Sequence, residues 1–204
     1  MLPQQKELQK FNMKRLLRKI NSIFNGILKD VILLLQSPKD YLYSFTYPTN
    51  RFVKIRPYKP SLQTTADKII NKIHKAAPNL KVYFVGSASF HISGQGDIDL
   101  VAKSKSKNFN KYLPVLTDIF GNPSKKRSKF IEWHFMYNKY NIELLLADPT
   151  SPNFKNELKI YKILKKNKKL LKEYEAIKKS LNGLPVREYI KRRMSFFNKI
   201  LEYK

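Results

Sequence analysis

Three features are scarce in this 204-residue sequence: cysteine, acidic residues and long apolar runs. The absence of cysteine excludes disulfides and thiolate metal sites, and it is typical of proteins from a reducing compartment such as the cytoplasm. No apolar run approaches the roughly 18 residues needed to cross a bilayer, and the longest candidate spans only residues 31–35. The sequence therefore predicts a cytoplasmic protein without a transmembrane segment.

Acidic residues are outnumbered along the whole chain. There are 41 lysines and arginines against 15 aspartates and glutamates, a formal net charge of +26. Basic and acidic groups number 12 and 3 in residues 1–60, 13 and 7 in residues 61–150, and 16 and 5 in residues 151–204. A field of this size attracts polyanions and speeds their arrival. The charge favours contact with nucleic acid, RNA before DNA, over a generic solvated surface.

Hydrophobic periodicity predicts strands in the middle of the chain and helices on either side. One amphipathic helix is expected over residues 12–37, either packed on the core or lying on a membrane surface. The Tyr- and Pro-rich stretch that follows is typical of a linker, with a short strand at Phe52–Ile55. The other predicted helices cover residues 66–77, 108–120, 154–166, 168–181 and 185–203, and the other strands cover 81–85, 97–102, 130–137 and 140–147. Residues 86–96 and 121–129 are predicted loops.

The central motif joins a Gly-Ser pair to two aspartates. Gly86-Ser87 follows a predicted strand, and nine residues separate it from Asp97-Ile98-Asp99. Carboxylates at positions i and i+2 of a strand point to the same face, so the two aspartates can share divalent metal ions. Gly86 lets the backbone approach a phosphate, and Ser87 can donate a hydrogen bond to it. Because nucleotidyl transfer needs metal to neutralise triphosphate oxygens, the motif predicts that chemistry. The alternative is an exposed acidic pair on an edge strand.

A third carboxylate is expected on a neighbouring hairpin. A two-residue turn at Asn138-Lys139 places His134 opposite Glu143 and directs both away from the apolar face. Glu143 is therefore the candidate third metal ligand or general base, with a structural pairing to His134 as the alternative. Glu132, on the same face, is the reserve candidate.

The Gly-Ser and Asp-x-Asp pattern resembles the DNA polymerase β-like nucleotidyltransferase superfamily, and residues 52–203 resemble its GrpB family. The matching motifs are the Pro-Tyr-x-Pro turn at Pro57–Pro60, the Gly-Ser-x-Ser loop at Gly86–Ser89, the Glu-Tyr-x-x-Leu-Lys run at Glu173–Lys178, and the Tyr-x-x-x-Lys-x-x-Phe pattern at Tyr189, Arg193 and Phe196. The sequence departs from the family at Gln95-Gly96, where Lys-Pro is usual, and at Asn141 and Glu143, where the family has His-x-His.

The resemblance implies an α+β nucleotidyltransferase fold, a short mixed sheet with packed helices, an N-terminal amphipathic helix and a C-terminal helical bundle. The expected ligands of Mg²⁺ or Mn²⁺ are Asp97, Asp99 and Glu143, which are also the expected catalytic residues. The expected nucleotide-binding residues are Gly86, Ser87, Ser89 and His91; an exposed loop histidine is the alternative for the last. The implied reaction transfers NMP from an NTP such as ATP to an acceptor hydroxyl, with RNA as the first choice of acceptor.

The expected organisation has three segments. Residues 1–50 form a basic helical extension and linker, residues 51–150 the catalytic core, and residues 151–204 basic helices packed on that core. Two other functions remain open. One is a nucleic-acid-binding protein that keeps the fold without catalysis, and the other is a basic protein that contacts membrane surfaces through helix 12–37.

Overall fold

The computed structural model describes residues 13–18, 20, 21, 28, 30, 31 and 37–202. Its five strands are β1 (Lys81–Val85), β2 (Ile98–Lys103), β3 (Lys125–Arg127), β4 (Phe130–Tyr137) and β5 (Tyr140–Ala147). Its named helices are α1 (Pro38–Ser44), α2 (Ser61–Ala76), α3 (Phe109–Phe120), α4 (Pro152–Lys166), α5 (Lys168–Ser180) and α6 (Val186–Glu202). The strands form one sheet in the order β1-β2-β5-β4-β3, in which only the β2–β5 pair is parallel. The predicted α+β fold with a mixed sheet and C-terminal helices is confirmed.

One face of the sheet forms the main core. Alternate residues of the central strands, among them Leu100, Trp133 and Leu144, are buried against apolar residues of α2 and α3. Side chains alternate between the two faces of a strand, so the residues between these apolar ones point the other way. The alternation places Asp99, His134 and Glu143 on the face opposite the core.

The C-terminal helices form a second apolar cluster of their own. Buried residues of α4, α5 and α6 pack together with Ile92, which belongs to the loop between β1 and β2. At the start of α4, Phe154 packs against Val101 and Ala147 of the sheet. The helices are therefore attached both to the sheet and to the loop that carries the Gly-Ser motif.

The predicted helix over residues 12–37 is described only in part. Residues 13–18, 20, 21, 28, 30 and 31 are helical, and the other residues of this prediction lie outside the described ones. Large apolar side chains in it are exposed: Leu16, Leu17, Ile20, Leu28 and Val31. Asp30 reaches α6, where it accepts a hydrogen bond of 2.9 Å from Lys191. Across the described ranges, no helix has the length and apolar content to span a membrane.

Three local predictions were wrong. Phe52–Ile55 is not a strand, because this segment makes single backbone pairings with the turn before α6, such as the 2.9 Å bond from Val53 to Leu184. The predicted linker contains helix α1, which has a proline in its first turn. The predicted loop 121–129 contains β3, whose three basic residues carry no apolar alternation because it is an exposed edge strand.

Candidate active site

Polar residues form a row across the three adjacent strands β2, β5 and β4, on the face away from the main core. In the register of the sheet, Val85 pairs with Asp99, Asp99 with Glu143, and Glu143 with His134. Because neighbouring strands lie about 4.8 Å apart and paired residues share a face, Asp99 and Glu143 are direct neighbours. The predicted hairpin register, with His134 opposite Glu143, is confirmed. Its two turn residues, Asn138 and Lys139, have φ of 45° and 66°, as a tight hairpin requires.

The carboxylates of this row lack compensating partners. Among the described residues, the side chains of Asp97, Asp99 and Glu143 form no ion pair and no hydrogen bond, although the chain carries 41 lysines and arginines. Burial, together with repulsion from Asp97 and Glu143, raises the pKa of Asp99 well above its usual range. The pKa of Glu143 is raised as well, although this residue is exposed. Partial desolvation of its carboxylate is the larger cause, and repulsion from Glu132 adds to it. Carboxylates that repel one another without basic partners are suited to binding a cation.

Gly86 directly contacts the second aspartate. Its φ is +70°, in the left-handed region, and a Cβ at this position would lie 1.8 Å from Oδ2 of Asp99. Any side chain here would displace the carboxylate, so only glycine allows the loop to start at this point. The Gly-Ser motif and the Asp-x-Asp motif are therefore in contact, through the backbone of Gly86 and the carboxylate of Asp99.

Two of the predicted nucleotide-binding side chains, Ser89 and His91, make contacts within the protein, although His91 is exposed as the alternative for it expected. The hydroxyl of Ser89 donates a 2.8 Å hydrogen bond to the carbonyl of Gly86 and so closes a turn of the loop. The His91 ring stacks on Tyr58 with 4.7 Å between centroids, at the Pro-Tyr-x-Pro turn. Ser87 is buried, and its hydroxyl lies against the Cα of Gly94. Of the four, Gly86 is the one in direct contact with a carboxylate, that of Asp99.

The loop between β1 and β2 is fastened to its surroundings at several points. Glu175 of α5 accepts hydrogen bonds of 3.0 and 2.9 Å from the backbone N–H and hydroxyl of Ser93, and it also pairs with Lys179. These donors lower the pKa of Glu175. Arg56 and Gly94 exchange two backbone hydrogen bonds of 2.7 and 3.0 Å. Contacts of this kind hold a binding loop in one conformation before its ligand arrives.

The C-terminal helices bring two cations towards the carboxylates, and the assignment of roles from the sequence missed them. Burial lowers the pKa of Lys178 on α5 to about 8, although Asp97 and Asp99 favour its charged form. Arg193 on α6 also acts electrostatically on Asp99 and Glu143. Both residues belong to the two C-terminal runs that resemble the GrpB family, and this was the signal that could have identified them.

Among the described residues, one group of ligand atoms is close enough together to hold a metal ion, and it shares only Glu143 with the predicted set of Asp97, Asp99 and Glu143. One ligand atom each from Glu132, His134 and Glu143 lies within 4.8 Å of the others, a spacing that could hold a metal ion. Nε2 of His134 lies 2.6 Å from Oε1 of Glu132, its neighbour on the same strand. The hydrogen-bond partner of His134 is therefore Glu132, although Glu143 was the partner considered from the sequence.

Asp148, at the end of β5, shows what a structural carboxylate looks like in this protein. It is buried and accepts hydrogen bonds from the backbone of Ser106 and from the backbone and hydroxyl of Thr150, at 2.7–2.9 Å. Lys129 lies 3.3 Å away. These donors hold the pKa of Asp148 far below its usual range. The contrast with the unpartnered Asp99 separates a carboxylate that supports the fold from one free to bind a ligand.

Comparisons with known proteins agree with this architecture. Residues 52–203 match the GrpB family, described as "GrpB protein". The crystal structure of conserved protein GrpB from Enterococcus faecalis is similar to this chain, with a TM-score of 0.57 and 14% sequence identity; the alignment covers 72% of this chain and 93% of that chain. At this identity the likeness supports the fold alone. No curated protein matches the sequence.

Proposed function

The chain belongs to the GrpB family, and we propose that it is a metal-dependent nucleotidyltransferase that transfers NMP from an NTP to an acceptor hydroxyl. The observation that carries this proposal is the group of Asp97, Asp99 and Glu143, which form no ion pair among the described residues of a chain with a net charge of +26. Carboxylates left unpaired in so basic a protein favour a ligand that is itself a cation.

The donor set fits a hard divalent ion. Asp97, Asp99 and Glu143 offer carboxylate oxygens, which Mg²⁺ and Mn²⁺ prefer as ligands. Burial raises the pKa of Asp99, repulsion from Asp97 and Glu143 raises it further, and a bound cation would relieve that repulsion. When bound, such an ion neutralises charge on the triphosphate. The set that contains His134 instead offers one imidazole nitrogen, a ligand better suited to a transition metal.

Residues of the chain account for the remaining tasks. The backbone of Gly86-Ser87 would bind phosphate oxygens beside the carboxylates, and the contact of Gly86 with Asp99 supports this role. Glu143 is exposed at the rim, where an acceptor can reach it, and its raised pKa improves it as a base at neutral pH. In the transfer, Glu143 takes the proton of the acceptor hydroxyl while that oxygen attacks the α-phosphorus. The bond from the α-phosphorus to the pyrophosphate oxygen breaks, and pyrophosphate leaves.

Incubation of the full chain with α-labelled NTPs, total RNA and Mg²⁺ or Mn²⁺ tests the reaction. We expect label to enter RNA only when the divalent ion is present, and chelation to stop it. If none of the four NTPs labels RNA while RNA still binds independently of metal, the protein is a nucleic-acid-binding member of the fold and the transferase proposal fails.

Glu143→Gln is expected to lower the transfer rate by roughly 10²-fold or more, the scale for loss of a general base. Folding should hardly change, because glutamine has the same shape and the apolar face is untouched. His134→Gln is the matched control, since it lies opposite on the same face. Rate and thermal stability are measured for both variants. An equal loss of rate in both would assign the metal to Glu132, His134 and Glu143. An unchanged rate in Glu143→Gln would leave it a structural residue.

A lysine-lined groove supports RNA as the acceptor. Four lysines at helical spacing on α4 border a groove of about 420 Å³ that also includes Leu158 and Ile163; they are Lys155, Lys159, Lys162 and Lys166. The next helix adds Lys168, Lys169 and Lys172. A row of cations over an apolar floor fits the phosphate backbone of a nucleic acid.

Charge reversal of four exposed lysines where α4 meets α5, namely Lys165, Lys166, Lys168 and Lys169, is expected to weaken RNA binding and reduce its salt dependence, because fewer counterions are released. NTP affinity should be unchanged. The control reverses four exposed lysines elsewhere: Lys103, Lys105, Lys107 and Lys111. Affinities are measured between about 50 and 200 mM salt. Equal losses in the two variants would show a nonspecific effect of net charge, and no loss in either would exclude this surface as the RNA contact.

A further inference from the structure

Lys178 is a buried cation beside the Gly-Ser loop. It is 4% exposed, and its ammonium lies 5.2 Å from the centroid of the Tyr174 ring. The ammonium is also 3.5 Å from the point that a Cβ on Gly94 would occupy, and the Ser87 hydroxyl is 2.1 Å from that same point. Within the described part of the chain it forms no ion pair and no hydrogen bond. The desolvation of this nearly buried lysine is therefore not offset by an ion pair, which favours an anionic ligand beside it.

Arg193 is a second cation in the same region. Its guanidinium lies 5.8 Å from the centroids of both Tyr189 and Phe197, and its Nε is buried with no hydrogen-bond acceptor among the described residues. The charge of Arg193 disfavours the charged form of Lys178 and so lowers its pKa further, after burial. Two neighbouring cations with unused donors form a site for an oxyanion.

The position of this pair identifies the kind of anion. The carboxylates of Asp97 and Asp99 act on Lys178 through space without pairing with it, so they leave its donors available. A ligand that lies between the two cations and the two aspartates must present negative charge to the cations. It must also bind the divalent ion that the aspartates hold. A polyphosphate meets both conditions with separate oxygens and several negative charges, whereas a single carboxylate offers two oxygens and one charge.

We propose that Lys178 and Arg193, with the hydroxyl of Ser87, bind the β- and γ-phosphates of the NTP and hold pyrophosphate as it leaves. This assignment rests on the proposed transferase function and names the part of its substrate that the C-terminal helices contact. It also explains why the two family-like runs of the C-terminal helices converge on the loop between β1 and β2. The helices thus complete the active site in addition to packing on the sheet.

Binding of pyrophosphate to the full chain, measured calorimetrically with and without Mg²⁺, tests the assignment. Lys178→Met is expected to weaken binding at least about tenfold, the loss of one charge-assisted hydrogen bond. Arg193→Lys keeps the charge but removes Nε, and we expect a similar loss. Lys68→Met removes an exposed lysine from α2, which packs on the core face of the sheet, and should leave binding unchanged. Thermal unfolding confirms that each variant is folded, and Arg193→Lys retains the test if Lys178→Met does not fold.

The outcomes separate this subsite from the transferase proposal. Wild-type protein that fails to bind pyrophosphate, or binding that Lys178→Met and Arg193→Lys leave intact, overturns the subsite. If pyrophosphate binds through Lys178 but no NTP is ever transferred, the polyphosphate site stands and the transferase function fails. If transfer occurs but the pyrophosphate affinity is the same in Lys178→Met, Arg193→Lys and the wild type, the transferase function stands and the subsite is wrong.

Discussion

Asp99→Asn is expected to abolish nucleotidyl transfer and, in the absence of metal, to make the protein more stable. The loss of rate follows from the proposed metal role. Removing one charged ligand takes away several kcal/mol of charge stabilisation, on the order of a 10³-fold fall in rate. The measurement is transfer of labelled NMP under saturating NTP and divalent metal.

The gain in stability follows from the pKa of Asp99. Because its folded pKa is raised, the native state holds the proton more tightly than the unfolded state. The wild-type protein therefore loses stability as the pH rises from about 4 through that raised pKa, where ionised Asp99 repels its neighbours. Asparagine carries no charge, so the variant should lack this loss and gain on the order of 1–3 kcal/mol at neutral pH, the penalty of a poorly compensated buried group. Chemical denaturation in metal-free buffer across pH 4–8 measures it.

Asp148→Asn is the control with the opposite sign. The folded pKa of Asp148 is depressed, so its contribution to stability is present above its unfolded pKa and is lost as the pH falls. Its removal should destabilise the protein at neutral pH, by about 1–3 kcal/mol, and leave transfer by the folded fraction intact. If Asp99→Asn also destabilises the metal-free protein while keeping its activity, Asp99 is a structural carboxylate and the site assignment fails.

Gly86→Ala is expected to cost both stability and activity. A methyl group at this position would lie 1.8 Å from Oδ2 of Asp99, so either the carboxylate or the start of the loop must move. The φ of +70° adds the strain of a left-handed residue, about 1–2 kcal/mol. Together we expect a loss on the order of 2–4 kcal/mol in unfolding free energy and a fall in rate like that of Asp99→Asn.

Gly183→Ala separates the two causes. Its φ is +78°, close to that of Gly86, but a Cβ there meets nothing within 4 Å. It therefore suffers only the backbone strain, and its transfer rate should be unchanged. Denaturation and transfer assays on the two variants give the comparison. Equal effects in both would mean that the approach of Gly86 to Asp99 has no role beyond its backbone conformation.

The test of Asp99 does not depend on the identity of the acceptor. If RNA is the wrong acceptor, the stability difference between Asp99→Asn and Asp148→Asn remains measurable on the protein alone. The assay for transfer can then be repeated with other hydroxyl acceptors. A metal-dependent rise in wild-type stability that is absent from Asp99→Asn would support the ion site even before a substrate is found.

Local pattern in the sequence determined which side chains share a face. Apolar residues alternate with polar ones along β2, β4 and β5, and this alternation alone directs Asp99, His134 and Glu143 away from the core. The turn at Asn138-Lys139 is also local, since two residues with positive φ suffice to set the hairpin register and bring His134 opposite Glu143. These features were predictable because each depends on residues only a few positions apart.

The tertiary structure decided what the acidic row meets. The parallel pairing of β2 with β5 makes Asp99 and Glu143 neighbours across 44 positions of sequence, and no local pattern specifies that pairing. Lys178 and Arg193 reach the site because α5 and α6 pack against each other and against the loop at Ile92, so their positions depend on the packing of the second apolar cluster. The strand register likewise does not determine which glutamate His134 contacts. In the structure its ring nitrogen lies beside the carboxylate of Glu132. Periodicity is a local property, whereas the parts of a site that lie far apart in sequence are brought together by long-range packing. The two cations of the proposed site, Lys178 and Arg193, depend on such packing, so the sequence pattern alone did not indicate them.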